Sequence, residues 1–195
     1  FEALGLKAPG LAMTFGEFEA LGREFIRKSR ALKPDQKFFM VDNLNFQVVH
    51  HAVGVAQYNE TLTAGAMDRP ATVEVLKMLY RWSYTDRLMP TLADIQSMAI
   101  ESGYNGPPGA GASFQLFHRG NYAMINHGRY ALIQLHDMGT KFRLGASLSP
   151  HGGFPNGLAQ FRGIFVYRGS RHQAEALSFM RFLQSDEFNR ETVAQ

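Results

Sequence analysis

The chain has no cysteine. That excludes disulfides, thiolate metal sites and a cysteine nucleophile, and it fits an oxidising or a reducing compartment equally. No apolar run approaches the roughly 20 residues of a membrane-spanning helix. No signal peptide is visible either, although a secreted chain that had lost its signal would look the same. Lysine and arginine are not clustered. Twenty basic against 17 acidic residues leave a formal charge of +3, without the basic stripe of a nucleic-acid footprint. The motifs HExxH and GxSxG are missing, as is a dinucleotide-type glycine fingerprint after a strand. The seven histidines are scattered, with no paired carboxylates at ligand spacing. The glycine-rich segment 103–112, GYNGPPGAGA, lacks the Gly-Lys-Ser/Thr ending of a phosphate loop and reads as a linker. A carbohydrate-active enzyme would need two carboxylates facing across a cleft. The carboxylates here fall mainly at helix starts and surface positions.

What is present suits a globular α/β chain. It has 195 residues, 45% of them hydrophobic and 19% charged, enough to bury a core as one large domain or two small ones. Thr14 and Glu17 form a capping box, and Phe18, Leu21, Phe25 and Ile26 follow on one helical face until Pro34. Phe38 to Val41 predicts a short buried strand. Asn43 or Asn45 is the expected N-cap of a second helix through Val53. The neighbouring His50 and His51 diverge by about 100° on a helix, so a core or surface role is expected rather than chelation. Pro70 opens a long helix predicted to reach Leu88, with Val75, Leu76, Leu79 and Trp82 facing a core. Thr91 and Asp94 open another. Further on, Phe142, Leu144 and Ala146 alternate as in a half-buried strand, and Gly163 to Tyr167 predicts a buried one. Ser170 to Gln173 reads as a capping box for a helix carrying Leu177, Phe179, Met180 and Phe182. Ser185 caps a last helix.

The most informative stretch is Ser113 to Tyr130, SFQLFHRGNYAMINHGRY. Ser113 reads as an N-cap, Gly120 as a left-handed helix stop and Tyr122 to Ile125 as a buried strand. Asn126 to Tyr130 then forms a turn that presents an aromatic beside polar groups. Such a turn is either a ligand-binding wall or an ordinary strand-to-helix connection. Other aromatics beside turns are Phe46, Tyr104, Phe154 and Phe161. Aromatic faces pack on the C–H faces of sugars, while amides and guanidinium groups fork onto hydroxyls.

The ordered motifs resemble the extracellular solute-binding proteins of ABC transporters, in the carbohydrate-binding branch that includes maltose-binding protein. Phe117, Gly120, Ala123 and Met124 match an F-x-x-G-x-x-A-M segment. Gly128 and Tyr130 match a glycine turn with a stacking aromatic, usually tryptophan. Gly163 and Ile164 match a strand, and Ser170, Glu175, Ala176, Phe182, Leu183, Ser185 and Glu187 match a helix signature. Thr14 to Phe18 resembles the helix start T-W-D-E-F, and Asp68-Arg69-Pro70 is similar to the family's entry into its long helix.

The resemblance implies an α/β fold of the type II periplasmic-binding-protein kind, present only in part. Residues 1–159 would be the C-terminal lobe, and residues 160–195 a hinge crossing with helices returning to the N-terminal lobe. It implies a non-enzymatic importer subunit without cofactor or metal, periplasmic or extracellular, lipid-anchored in some such proteins. The expected partners are a carbohydrate or related small solute and a membrane permease, with no nucleic acid. Self-association of the fragment is a further expectation, from the wide apolar face of the helix after Ser170. The expected ligand contacts are Tyr130 as stacking platform, Gly128 allowing close backbone approach, and Arg129. Phe46 with Asn45 and Gln47, and Arg162 with Gly163 at the hinge, complete the set. Each residue after Tyr130 has a structural role as its alternative. His127, Arg129 and Arg162 keep open an anionic ligand such as a sugar phosphate or sugar acid.

Overall fold

Thr14 starts the first helix as its sequence demands. Its side chain accepts from the Glu17 amide while the Glu17 carboxylate accepts from the Thr14 amide, capping α1, Phe15–Leu32. The exchange holds the Glu17 carboxyl below its ordinary value, chiefly through the Thr14 backbone hydrogen bond. The computed structural model of the chain describes residues 1–101, 110–139, 142–157 and 163–194. It divides into two compact units, Phe1–Leu158 and Ala159–Gln195.

In the first unit α1 lies against β1, Phe39–Val41, all three residues of which are buried. The strand pairs in parallel with β2, Tyr122–Met124, in the register Phe39 to Tyr122 and Val41 to Met124. Parallel pairing requires a long crossover. Here it is filled by α2 (Phe46–His51), α3 (Pro70–Tyr80), α4 (Leu92–Glu101) and α5 (Ala110–His118), with α6 (Ala131–Asp137) after β2. The main core joins Phe18, Phe25 and Ile26 of α1 to Met40 and Val41 of β1, and to Val75, Trp82 and Leu88. Burying side chains of this size stabilises by about 1.5–3 kcal/mol each.

Trp82 ends up deeper than a simple helix face explains. After α3 the chain makes a π-helical turn over Arg81–Thr85. The wider turn leaves Trp82 fully buried, its Nε1 donating to Glu19 Oε1 at 2.8 Å. The predicted helix to Leu88 is thus shorter, and Leu76 points to solvent while Leu79 packs at the core edge. Beyond the turn, Arg87 Nη2 donates to both carboxylate oxygens of Asp94 at 2.7 Å. Burial pushes the Asp94 carboxyl up, but hydrogen bonds from Thr91 and Arg87 overcome it and hold it low.

Several predicted elements differ in the structure. Ser113 lies inside α5 rather than at its cap, because the helix begins at Ala110. The second helix stops at His51 instead of Val53. Residues 142–149 have no regular secondary structure and join no ladder among the described residues. This segment is instead anchored at its end. The Leu148 amide donates to the Leu11 carbonyl at 2.7 Å, and His151 makes a parallel bridge to Thr14. The linker 103–112 lies outside the described residues except for its last three, which are the first turn of α5.

The second unit contains α7, Gln173–Leu183, and α8, Asp186–Ala194. Residues 163–167 form no strand here, and Ile164, Phe165 and Tyr167 are exposed. A β-rich run becomes a strand only where another strand meets its backbone groups. The capping box before α7 is also absent: His172 precedes the helix without a side-chain cap, and Ser170 Oγ accepts only from the His172 amide. Ser185 caps α8 as predicted, accepting from the Phe188 amide at 3.2 Å.

Candidate functional site

Two parallel strands end side by side, so the segments that follow them share one edge of the sheet. Open α/β sheets bind ligands at this carboxyl edge, where loops diverge and leave a crevice. After β1 the chain gives Asp42, then Asn45 to Gln47. After β2 it gives Asn126 to Tyr130.

Asp42 ties the two segments together. Its Oδ1 accepts from the Asn126 amide at 2.8 Å, and its Oδ2 lies 2.8 Å from His127 Nε2. The carboxylate side chain is only 2% exposed. A buried carboxylate needs such donors, since one left unpaired is costly. The other ring nitrogen of His127, Nδ1, lies 3.2 Å from the Tyr130 hydroxyl. Phe114 of α5 covers the imidazole at 4.7 Å between centroids and meets the Tyr130 ring edge-on at 6.4 Å.

Tyr130 is therefore held from its hydroxyl and one edge while 52% of it stays exposed. Gly128 makes this pose possible. A Cβ there would lie 2.9 Å from Tyr130 Cε1 and 3.1 Å from Cδ1. A glycine at this position therefore leaves room for the Tyr130 ring, whatever part its backbone plays toward a ligand.

Behind the turn is a cavity of about 810 Å³. Its walls are β2 with Ile125, the turn Asn126 to Arg129, the inner face of α6, the irregular segment 142–150, and residues near the N-terminus. The wall is mostly apolar. Gly128 and Arg129 line it, whereas Tyr130, Asn45, Phe46 and Gln47 do not. Among the described residues Glu2 is the one carboxylate in that wall, so a carboxylate pair for glycoside chemistry finds no support there. No group of three His, Asp or Glu among the described residues could hold a metal ion.

The remaining expected contacts separate by role. Asn45 is the N-cap of α2, its Oδ1 accepting from the Val48 amide at 2.9 Å. Phe46 packs against the core and stacks on His50 at 4.9 Å between centroids. Gln47 is exposed on the same first turn. Gly163 falls in the second unit, and a Cβ there would meet the Phe165 ring at 2.7 Å. Arg162, Tyr104 and Phe161 lie outside the described residues. His50 is a core residue, its Nε2 2.9 Å from Thr72 Oγ1. Asp42 was missed from sequence. Its only local sign was a carboxylate directly after a buried strand.

No family model matches the sequence, and no curated protein matches it. Among solved structures the chain is similar to the ABC substrate-binding protein Lmo0181 from Listeria monocytogenes in complex with cycloalternan, with a TM-score of 0.69 at 19% identity. The match covers 96% of this chain and 44% of that one. The chain therefore has the fold of part of an ABC substrate-binding protein, a periplasmic-binding-protein-like architecture that is helix-rich with a small parallel sheet. It spans less than half the length of that structure.

Proposed function

We propose that this chain is part of the solute-binding component of an ABC importer and takes a sugar or oligosaccharide by stacking and hydrogen bonding. The observation that carries the reading is Tyr130, an aromatic ring braced by His127 and Phe114 yet half exposed, at the carboxyl edge of the parallel strands. Isolated exposed aromatics are ordinary, but a braced one gives up its rotamer entropy before any ligand arrives, which favours binding. The structural neighbour is a binding protein solved with an oligosaccharide. On this reading residues 1–159 are the C-terminal lobe of the maltose-binding type and residues 160–195 a hinge crossing, with a membrane permease as partner outside the cytoplasm.

A second reading is an anionic solute. It rests on Arg129, an exposed guanidinium beside Tyr130 in the cavity wall, since guanidinium binds phosphate or carboxylate bidentately. Isothermal titration of the protein with cycloalternan, linear neutral oligosaccharides, sugar acids and sugar phosphates separates the two. Binding of neutral sugars that survives Arg129→Ala and fails with Tyr130→Ala supports the first. The reverse pattern establishes the second, and no binding by any neutral saccharide refutes the sugar reading.

A further inference from the structure

The chain Asp42–His127–Tyr130 has a direction as well as a geometry. As a carboxylate, Asp42 can only accept, and its Oδ1 is already taken by the Asn126 amide at 2.8 Å. The proton in the 2.8 Å contact to His127 therefore belongs to Nε2. With the imidazole in its neutral form, that is its one N–H, and Nδ1 keeps its lone pair. The 3.2 Å contact from Nδ1 to Tyr130 is then filled by the phenol hydrogen. Tyr130 Oη, having given its only hydrogen inward, offers lone pairs outward.

We infer that Asp42 and His127 are positioning residues that set the hydrogen-bond polarity of Tyr130, so that its phenol meets ligand as an acceptor and selects groups that donate. A sugar hydroxyl meets that demand and an acceptor-only phosphate or carboxylate oxygen does not. A site built to satisfy one hydrogen-bonding pattern rejects ligands that leave a group unpaired. The network joins residues 85 positions apart in the chain, with the carboxylate buried and the phenol at the surface. Phe114 over the imidazole shields it and limits rotation of the ring. The inference rests on the sugar-binding reading for the identity of the ligand, but not for the proton positions.

The test is long-range ¹H–¹⁵N correlation spectroscopy of ¹⁵N-histidine-labelled protein, with His127 assigned by its loss in His127→Gln. The expected spectrum shows Nε2 protonated and Nδ1 bare. In Asp42→Asn the side-chain amide donates to Nε2, which moves the ring proton to Nδ1 and frees the phenol hydrogen. Tyr130→Phe leaves the tautomer at Nε2. Protonated Nδ1 in the wild type, or an unchanged tautomer in folded Asp42→Asn, overturns the inference. In parallel, cycloalternan titration is expected to weaken five- to tenfold in both Tyr130→Phe and Asp42→Asn. Equal affinity of Tyr130→Phe and wild type would overturn the acceptor role. If the tautomer is as expected but wild-type protein binds no cycloalternan or other neutral saccharide, the sugar reading fails while the proton assignment stands.

Discussion

Gly128→Ala is the sharpest perturbation of the site, because it should alter binding while leaving the fold nearly untouched. An added Cβ would sit 2.9 Å from Tyr130 Cε1 and 3.1 Å from Cδ1, closer than such atoms approach. Gly128 does not occupy the left-handed region, so alanine fits the backbone. The change lowers unfolded-chain entropy and on that account stabilises by about 0.4–1 kcal/mol. The exposed Tyr130 ring is the group free to move. Swinging out, it loses the 3.2 Å contact to His127 and its edge contact with Phe114. Aromatic pairing is worth about 0.5–1.5 kcal/mol beyond area burial. A neutral hydrogen bond contributes about 0.5–1.5 kcal/mol net. Those losses total about 1–3 kcal/mol and outweigh the entropic gain, so the urea midpoint should fall by about 1 kcal/mol equivalent. Saccharide affinity should fall about tenfold, since a ring no longer pre-placed must be ordered on binding, at about 1.4 kcal/mol per decade. Cycloalternan calorimetry beside urea denaturation measures both. Wild-type affinity in Gly128→Ala, with Tyr130→Ala binding lost, would refute the claim that the braced pose matters.

Two further predictions concern the core beneath the site. His50 is fully buried, and burial, with the charges of His51 and Arg69 adding, pulls its imidazole below the ordinary 6.5. The unfolded chain then binds the proton first, so this contribution is complete above pH 6.5 and is lost as pH falls below it. The drop in urea midpoint from about pH 7.5 to about 5.5 should accordingly be smaller in His50→Gln than in wild type, and an equal drop would count against it. Glu19→Ala removes the acceptor of the buried Trp82 indole N–H and a partner of Arg81. It should cost about 1–3 kcal/mol, recovered largely by Glu19→Gln, and a loss under about 0.5 kcal/mol in chemical denaturation would be the contrary result.

Four helix starts were legible because a cap is a contact between residues three apart, whereas the caps expected at Ser113 and Ser170 did not form. Thr14 with Glu17, Asn45 with Val48 and Thr91 with Asp94 all close as their spacing demands. The left-handed Gly120 stop follows from an equally local cause. Strands without a visible partner were not legible. Phe142 to Ser147 and Gly163 to Tyr167 carry strand-like sequences, but a ladder depends on a second segment that residue spacing does not specify. The depth of Trp82 depended on a π-helical turn that the 3.6-residue period hides.

By itself, then, the sequence determined part of the short-range frame: the caps at Thr14, Asn45, Thr91 and Ser185, the helix stop at Gly120, and that Gly128 and Tyr130 share a turn. Only the tertiary structure decided what holds that turn in place. It brought Asp42 from the end of one strand to His127 beyond the other, and His127 within 3.2 Å of the Tyr130 hydroxyl. Hydrogen bonds between groups 85 residues apart have no signature in spacing or period. They exist because parallel pairing sets the two strand ends side by side.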